Sequence, residues 1–294
     1  MGQNGFLSKP RGEADFPIPG DLPRLREIWL RSFGASVPYA NLFFEHRFSP
    51  KETLVWRRDG EVQAMLFWLP ATLFAQDQQG PVAYVYGVAT HPNARGQGIS
   101  SQLQEALKEE LVGRGYWASL LVPATPSLFS FYERQGYQGG FLQRTACFSA
   151  SEIEEELTVH PLSPQELFTL RESFFHRQEP YIQWDIPALA YQIREVQLLK
   201  GSVCKLQGKH QTGYAVLYVE KDRLTIRELG AQGSFARDCL NALCHHFGRP
   251  SAQVRLRTVG DFPFETSLSP FAMVQAFREP IPPLQDGYFS LALD

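Results

Sequence analysis

Between Val88 and Leu111 the chain reads VATHPNARGQGISSQLQEALKEEL, and this stretch restricts the possible folds more than any other. Val88, Ala89 and Thr90 close a β-rich run. Ile99, Leu103, Ala106, Leu107 and Leu111 then recur on one face at helical spacing. Arg95, Gly96, Gln97 and Gly98 form the turn between the two. A strand that feeds a helix this way leaves the first helical N–H groups unpaired. The positive end of the helix dipole points outward with them, a combination that suits anionic oxygens. Glycines allow close approach to the backbone, and Arg95 adds a fixed charge. A tight turn with an incidental arginine is the plainer alternative; the whole combination predicts phosphate binding. Two common phosphate turns do not fit. A P-loop requires Lys-Ser/Thr where Ile99-Ser100 stands, and a dinucleotide fingerprint requires glycine where Ser101 stands.

The flanking sequence supplies a mixed α/β frame. GDLPRLREIWLRSFG predicts a helix with Asp21 as N-cap and Gly34 as stop, and YANLFFEHRF predicts a second one. Asp59-Gly60 sits between two β-rich runs and predicts a hairpin. PVAYVYGVAT is the strand that enters the glycine turn. YWASLLVPA, the short helix SLFSFYERQGY and the strand FLQRTACFSA follow it. After the charged junction SEIEEELTVHPLSPQE a similar order recurs: two helices, three strands from Ser202 to Ala231, a helix through CLNALCHHF and another strand. The apolar GYFSLALD reads as a last strand. At 294 residues the chain exceeds the roughly 150 expected of one domain, and the repeated order divides it into 1–150 and 151–294. The second half has AQGSFARD where the glycine turn would stand, without Arg-x-x-Gly.

VATHPNARGQGISSQL resembles motif A of the GNAT N-acetyltransferases, whose Arg/Gln-x-x-Gly-x-Gly/Ala turn holds the pyrophosphate of acetyl-CoA. Arg95 and Gly98 match it, while Ser100 stands where Gly or Ala is usual. FSFYERQGY resembles the family's Tyr-x-x-x-Gly-Phe/Tyr signature at the expected distance. The resemblance covers about Asp21 to Ala150, and more faintly the second half. It implies two GNAT-like domains, each a twisted mixed sheet flanked by helices, the second degenerate. It also implies acetyl-CoA as acyl donor, bound by the backbone of Val88 and Thr90 and by Arg95, Gly96, Gln97, Gly98, Ile99 and Ser100. Tyr132 matches the tyrosine that protonates the leaving thiolate. Direct attack by a primary amine of a small molecule is the implied reaction.

The general base is not legible. Tyr84 and Tyr86 occupy the strand on which many relatives carry a carboxylate; they line the acceptor pocket or pack. A water chain is one candidate base. Another is Asp294, by resemblance to tandem acetyltransferases of the enhanced-intracellular-survival type, whose terminal carboxylate enters the first site. Two other functions remain open: a non-catalytic acyl-CoA sensor, and acetylation of protein lysines or N-termini.

Composition excludes some partners. A net charge of −3 and a pI near 6.2 give no global field for nucleic acid. No run approaches the ~18 apolar residues of a membrane span, and no signal peptide is evident. Four scattered cysteines suit reduced thiols in the cytoplasm. Cys239 and Cys244 lie five apart, on different helical faces, so CLNALCHHF with His245 and His246 is read as packing and no metal is expected. Glu228 on the RELG strand is assigned a structural or acceptor-shaping role. A homodimer is compatible with these features.

Overall fold

The computed structural model describes residues 12–75, 77–152, 156–175, 180–278, 283–291 and 293. The first half contributes β1 (Glu13–Asp15), α1 (Leu22–Phe33), α2 (Val37–His46), β2 (Thr53–Arg58), β3 (Glu61–Ala75), β4 (Gln78–Thr90), α3 (Ile99–Gly113), β5 (Ala118–Leu121), α4 (Pro126–Glu133), β6 (Gln138–Gly139) and β7 (Leu142–Ser149). The second contributes β8 (Thr158–Pro161), α5 (Pro164–Phe175), β9 (Tyr181–Gln183), α6 (Ile186–Leu198), β10 (Gly201–Gln207), β11 (Thr212–Val219), β12 (Leu224–Gly230), α7 (Gly233–His246), β13 (Ser251–Leu256), β14 (Ser267–Pro270) and β15 (Met273–Ala276).

Local sequence accounts for most of these boundaries. Asp59 and Gly60 both take positive φ (50° and 79°), which matches the twist of the β2–β3 hairpin. Gly34 ends α1 in the left-handed conformation, donating to the Leu30 carbonyl. Asp21 precedes α1 without capping it. Its carboxylate accepts from the Ile18 N–H and from both Nη atoms of Arg57, so it ties the helix entry to β2. α3 buries Leu103, Leu107 and Leu111 against Leu66, Trp68 and Val85. Each such leucine contributes roughly 1.5–3 kcal/mol.

Two mixed sheets result, with the order β1-β2-β3-β4-β5-β15-β6, to which β9 adds on β3, and the order β14-β7-β13-β12-β11-β10-β8. Each contains one parallel pair bridged by a helix, β4–α3–β5 in the first and β12–α7–β13 in the second. This is the repetition expected from the element order. The halves nevertheless interlock. β7 leaves the first half to pair with β13 and β14, while β15 returns from the second half to lie between β5 and β6. Residue 150 therefore does not separate the sheets.

Over its described residues the final apolar stretch is not the expected strand. Tyr288 makes a single bridge to Tyr181, and the backbone around it bonds to side chains instead: Trp184 Nε1 donates to the Ser290 carbonyl (2.9 Å) and Gln192 Nε2 to that of Leu291 (2.7 Å). Burial among aromatic rings from both halves explains its apolar composition. The sheet-closing strand is β15, which no periodic signal announces.

Candidate active site

β4 and β5 pair in parallel at Val82–Ala118, Ala83–Ser119 and Tyr84–Leu120, and there the pairing stops. The cause lies on the other edge of β4. Against β3, Met65 pairs with Ala89 but Phe67 with Tyr86, so β4 carries one extra residue. Gly87 sits in that bulge at φ +61°, where a Cβ would lie 2.7 Å from the Phe67 ring. A bulge bends its strand, and β4 turns away from β5. A cavity of about 480 Å³ fills the gap, with Tyr84, Tyr86 and Val88 on one wall and Leu121, Ala124 and Tyr132 on the other. His91 N–H bonds back to the Gln63 carbonyl (2.8 Å). Strand alternation then faces the peptide groups of Thr90 and Val88 towards the gap.

The glycine turn continues that cavity. Val88, Thr90, Arg95, Gly96, Gln97, Gly98, Ile99 and Ser100 line a second hollow of about 410 Å³. Gly96 and Gly98 adopt φ of +73° and +74°, and a Cβ at either would meet nothing within 4 Å. The first bond of α3 runs from Gln102 N–H to the Gly98 carbonyl (3.2 Å). The N–H groups of Ile99, Ser100 and Ser101 precede it and have no carbonyl within the helix to meet. Arg95 Nε donates to the Thr90 carbonyl (3.1 Å) and Arg58 donates to Gln97 Oε1 (2.7 Å), so two guanidiniums flank the turn. Dipole, open N–H groups and cations together form an anion cradle.

Tyr132 lies on the opposite wall. It is 8% exposed, its hydroxyl has no hydrogen-bond partner among the described residues, and burial pushes the phenol up to about 12. Tyr84 and Tyr86 stack 6.1 Å apart, and the Tyr86 hydroxyl is 3.3 Å from that of Tyr39 on α2. Tyr39 donates to Glu195 Oε1 of α6 (2.7 Å). Leu293 also lines the first cavity. Asp294 lies outside the described residues.

The equivalent connection in the second half is short. Two residues connect β12 to α7, against eight between β4 and α3, so no cradle forms. Glu228 on β12 is fully buried and accepts from Arg171 (2.8 and 3.1 Å), Tyr214 (2.6 Å), Tyr288 (3.1 Å) and Ser290. Its role is structural. Cys239 and Cys244 are buried; His245 Nε2 meets the Ser151 carbonyl (2.9 Å) and His246 packs on Phe247.

Residues 18–140 match the model of the acetyltransferase (GNAT) domain family. The N-terminal domain is a GNAT acetyltransferase domain. This match marks the protein as an acyltransferase. Its fold is similar to solved structures at low identity. A GCN5-related N-acetyltransferase from Anabaena variabilis shares 16% identity with a TM-score of 0.74, covering 90% of this chain and 72% of that one. Eis1 from Mycobacterium abscessus shares 12% at 0.63, covering 90% and 73%. The Saccharomyces cerevisiae N-myristoyltransferase with bound myristoyl-CoA shares 9% at 0.57, covering 92% and 80%. No curated protein sequence matches the chain.

The structure thus brings together the turn, Val88, Thr90, Tyr84, Tyr86 and Tyr132 around two adjoining cavities of the GNAT domain. Sequence reading missed Tyr39, Glu195 and Leu293. Tyr39 and Glu195 are 156 positions apart, and no local pattern pairs them.

Proposed function

We propose that the protein transfers an acetyl group from acetyl-CoA to a primary amine of a small molecule by direct attack, with residues 1–150 carrying the reaction and 151–294 closing the acceptor side. The observation that supports this most is the parting of β4 from β5 directly above the glycine turn. It gives an extended ligand a slot between two strands with an anion cradle at one end. The peptide groups of Val88 and Thr90 hold the donor's arm as a neighbouring strand would. The Arg95–Ser100 turn takes its pyrophosphate. Tyr132, kept protonated by burial, supplies a proton to the departing thiolate, a transfer typically worth 10²–10⁴-fold in rate. Tyr84 and Tyr86 line the approach of the acceptor.

A small acceptor is favoured over a peptide because the second half helps to wall these cavities. Tyr39 and Leu293 wall the first cavity, and Glu195, Tyr218 and Arg227 wall a neighbouring one of about 390 Å³. We place the enzyme in the cytoplasm, which accords with four free thiols. Among the described residues no helix is long and apolar enough to cross a membrane. The test pairs binding with turnover. Acetyl-CoA at about 100 times its Kd should add roughly 2.7 kcal/mol to stability, Arg95→Ala should lose most of that shift, and amines should trigger CoA thiol release. A shift without thiol release from any amine would identify a sensor instead.

A further inference from the structure

Ala35 and Tyr39 line both the gap between β4 and β5 and the neighbouring cavity walled by the second half. Through that shared wall runs a row of three oxygen-bearing groups. Tyr86, lining the gap, places its hydroxyl 3.3 Å from that of Tyr39, and Tyr39 donates to Glu195 Oε1 at 2.7 Å. Glu195 is 6% exposed and belongs to α6, which packs on α2. The carboxylate missing from β4 is therefore present at one remove, on the other half of the chain.

We propose that Glu195, acting through Tyr39 and Tyr86, takes up the proton that the acceptor amine must lose before it attacks. This rests on the amine-acylation reading given above. The hydrogen bonds already run in one direction: Tyr39 gives its proton to Glu195, its lone pairs face Tyr86, and Tyr86 is the member of the row that lines the gap. One shift along the row moves an N–H proton to the Tyr86 oxygen, the Tyr86 proton to Tyr39 and the Tyr39 proton to Oε1. The amine is left neutral and Glu195 becomes a carboxylic acid, with no other reactant consumed.

The surroundings support a relay over a simple ammonium-binding carboxylate. Facing Glu195 are Tyr39 of α2, Tyr191 of its own helix, Tyr218 of β11, Arg227 of β12 and Arg255 of β13. With Arg227 and Arg255 beside the carboxylate, a proton handed along hydrogen bonds suits this place better than a free cation. Burial raises the Tyr39 phenol far above its ordinary range, so it transmits a proton without persisting as phenolate.

The decisive experiment compares two acceptors in Glu195→Gln, Glu195→Asp and Tyr39→Phe: an aliphatic amine, protonated near neutral pH, and an arylamine, neutral there. Glu195→Gln should lower kcat for the aliphatic amine by about 10²-fold, in the range of general-base losses. The loss should shrink to a few-fold for the arylamine and narrow for the aliphatic amine as pH rises. Tyr39→Phe, which removes one oxygen and no packing volume, should show the same split, and Glu195→Asp should restore part of the rate. The acetyl-CoA stability shift should stay unchanged in all three. Equal losses with both acceptors, or a change confined to KM, would overturn the relay and leave the amine-acylation reading standing. Failure of the unaltered protein to release thiol with any amine would overturn both.

Discussion

Tyr132 separates binding from chemistry more cleanly than any other side chain in the site. Tyr132→Phe removes a hydroxyl that has no hydrogen-bond partner among the described residues, so stability and the acetyl-CoA shift should be retained while kcat falls about 10²–10⁴-fold. Because burial pushes the phenol up to about 12, its proton is still in place through the mildly alkaline range. The rate should show no alkaline decline that disappears in Tyr132→Phe until the pH approaches that value. A pH–rate profile of both proteins checks this. Tyr132 and the Arg95–Ser100 turn were legible because both are local patterns, a glycine turn at a helix start and a tyrosine four residues before Gly136. Tyr39 was not, since its chemistry depends on a partner from a distant helix.

Among the elements, β4 has the most consequential irregularity, and Gly87 is its pivot. An alanine there would need a left-handed φ, costing roughly 1–2 kcal/mol, and would press on the rings of Phe67 and Trp29. Gly87→Ala should destabilise by about 2–4 kcal/mol and weaken acetyl-CoA binding, because a straightened β4 narrows the gap; denaturant melts and ligand titration read the two effects. The sequence AYVYGVAT announces a strand but not its bulge, which arises from register against β3. At the start of α1, Arg57 holds the Asp21 carboxyl below its usual range, chiefly by hydrogen bonding. A carboxyl depressed in the folded state stabilises above its unfolded pKa of ~3.9 and loses that contribution as pH falls through the folded value. Asp21→Asn should therefore lower stability near neutrality and flatten its fall below about pH 4, as acid-unfolding curves of both proteins would show. The cap assignment for Asp21 missed this because an N-cap and a long-range ion pair use the same residue type.

At the scale of the whole molecule, the fully buried pair Arg171–Glu228 fastens the segment around Tyr288 and Ser290. Tyr288 and Ser290 both donate to Glu228, and Leu293 lines the first cavity. Breaking a buried pair typically costs 3–5 kcal/mol because the remaining charge has no counterion. Glu228→Gln should cost about that much and also raise the acceptor KM, though the residue lies outside the cavities of the site; steady-state kinetics beside thermal melts would show both. The element repeat, the mixed sheets and the missing second turn could all be read from periodicity and motif. The exchange of β7 and β15 could not, because short edge strands carry no pattern that names their partner. That exchange governs when a nascent chain becomes an enzyme. As the ribosome moves past residue 150, β5 still has a bare edge and the gap above the glycine turn lacks the walls that the second half provides. Only after Met273–Ala276 emerges can the first sheet close, and only with Leu293 is its cavity complete. Activity should therefore appear only once the segment that carries β15 and Leu293 has been made.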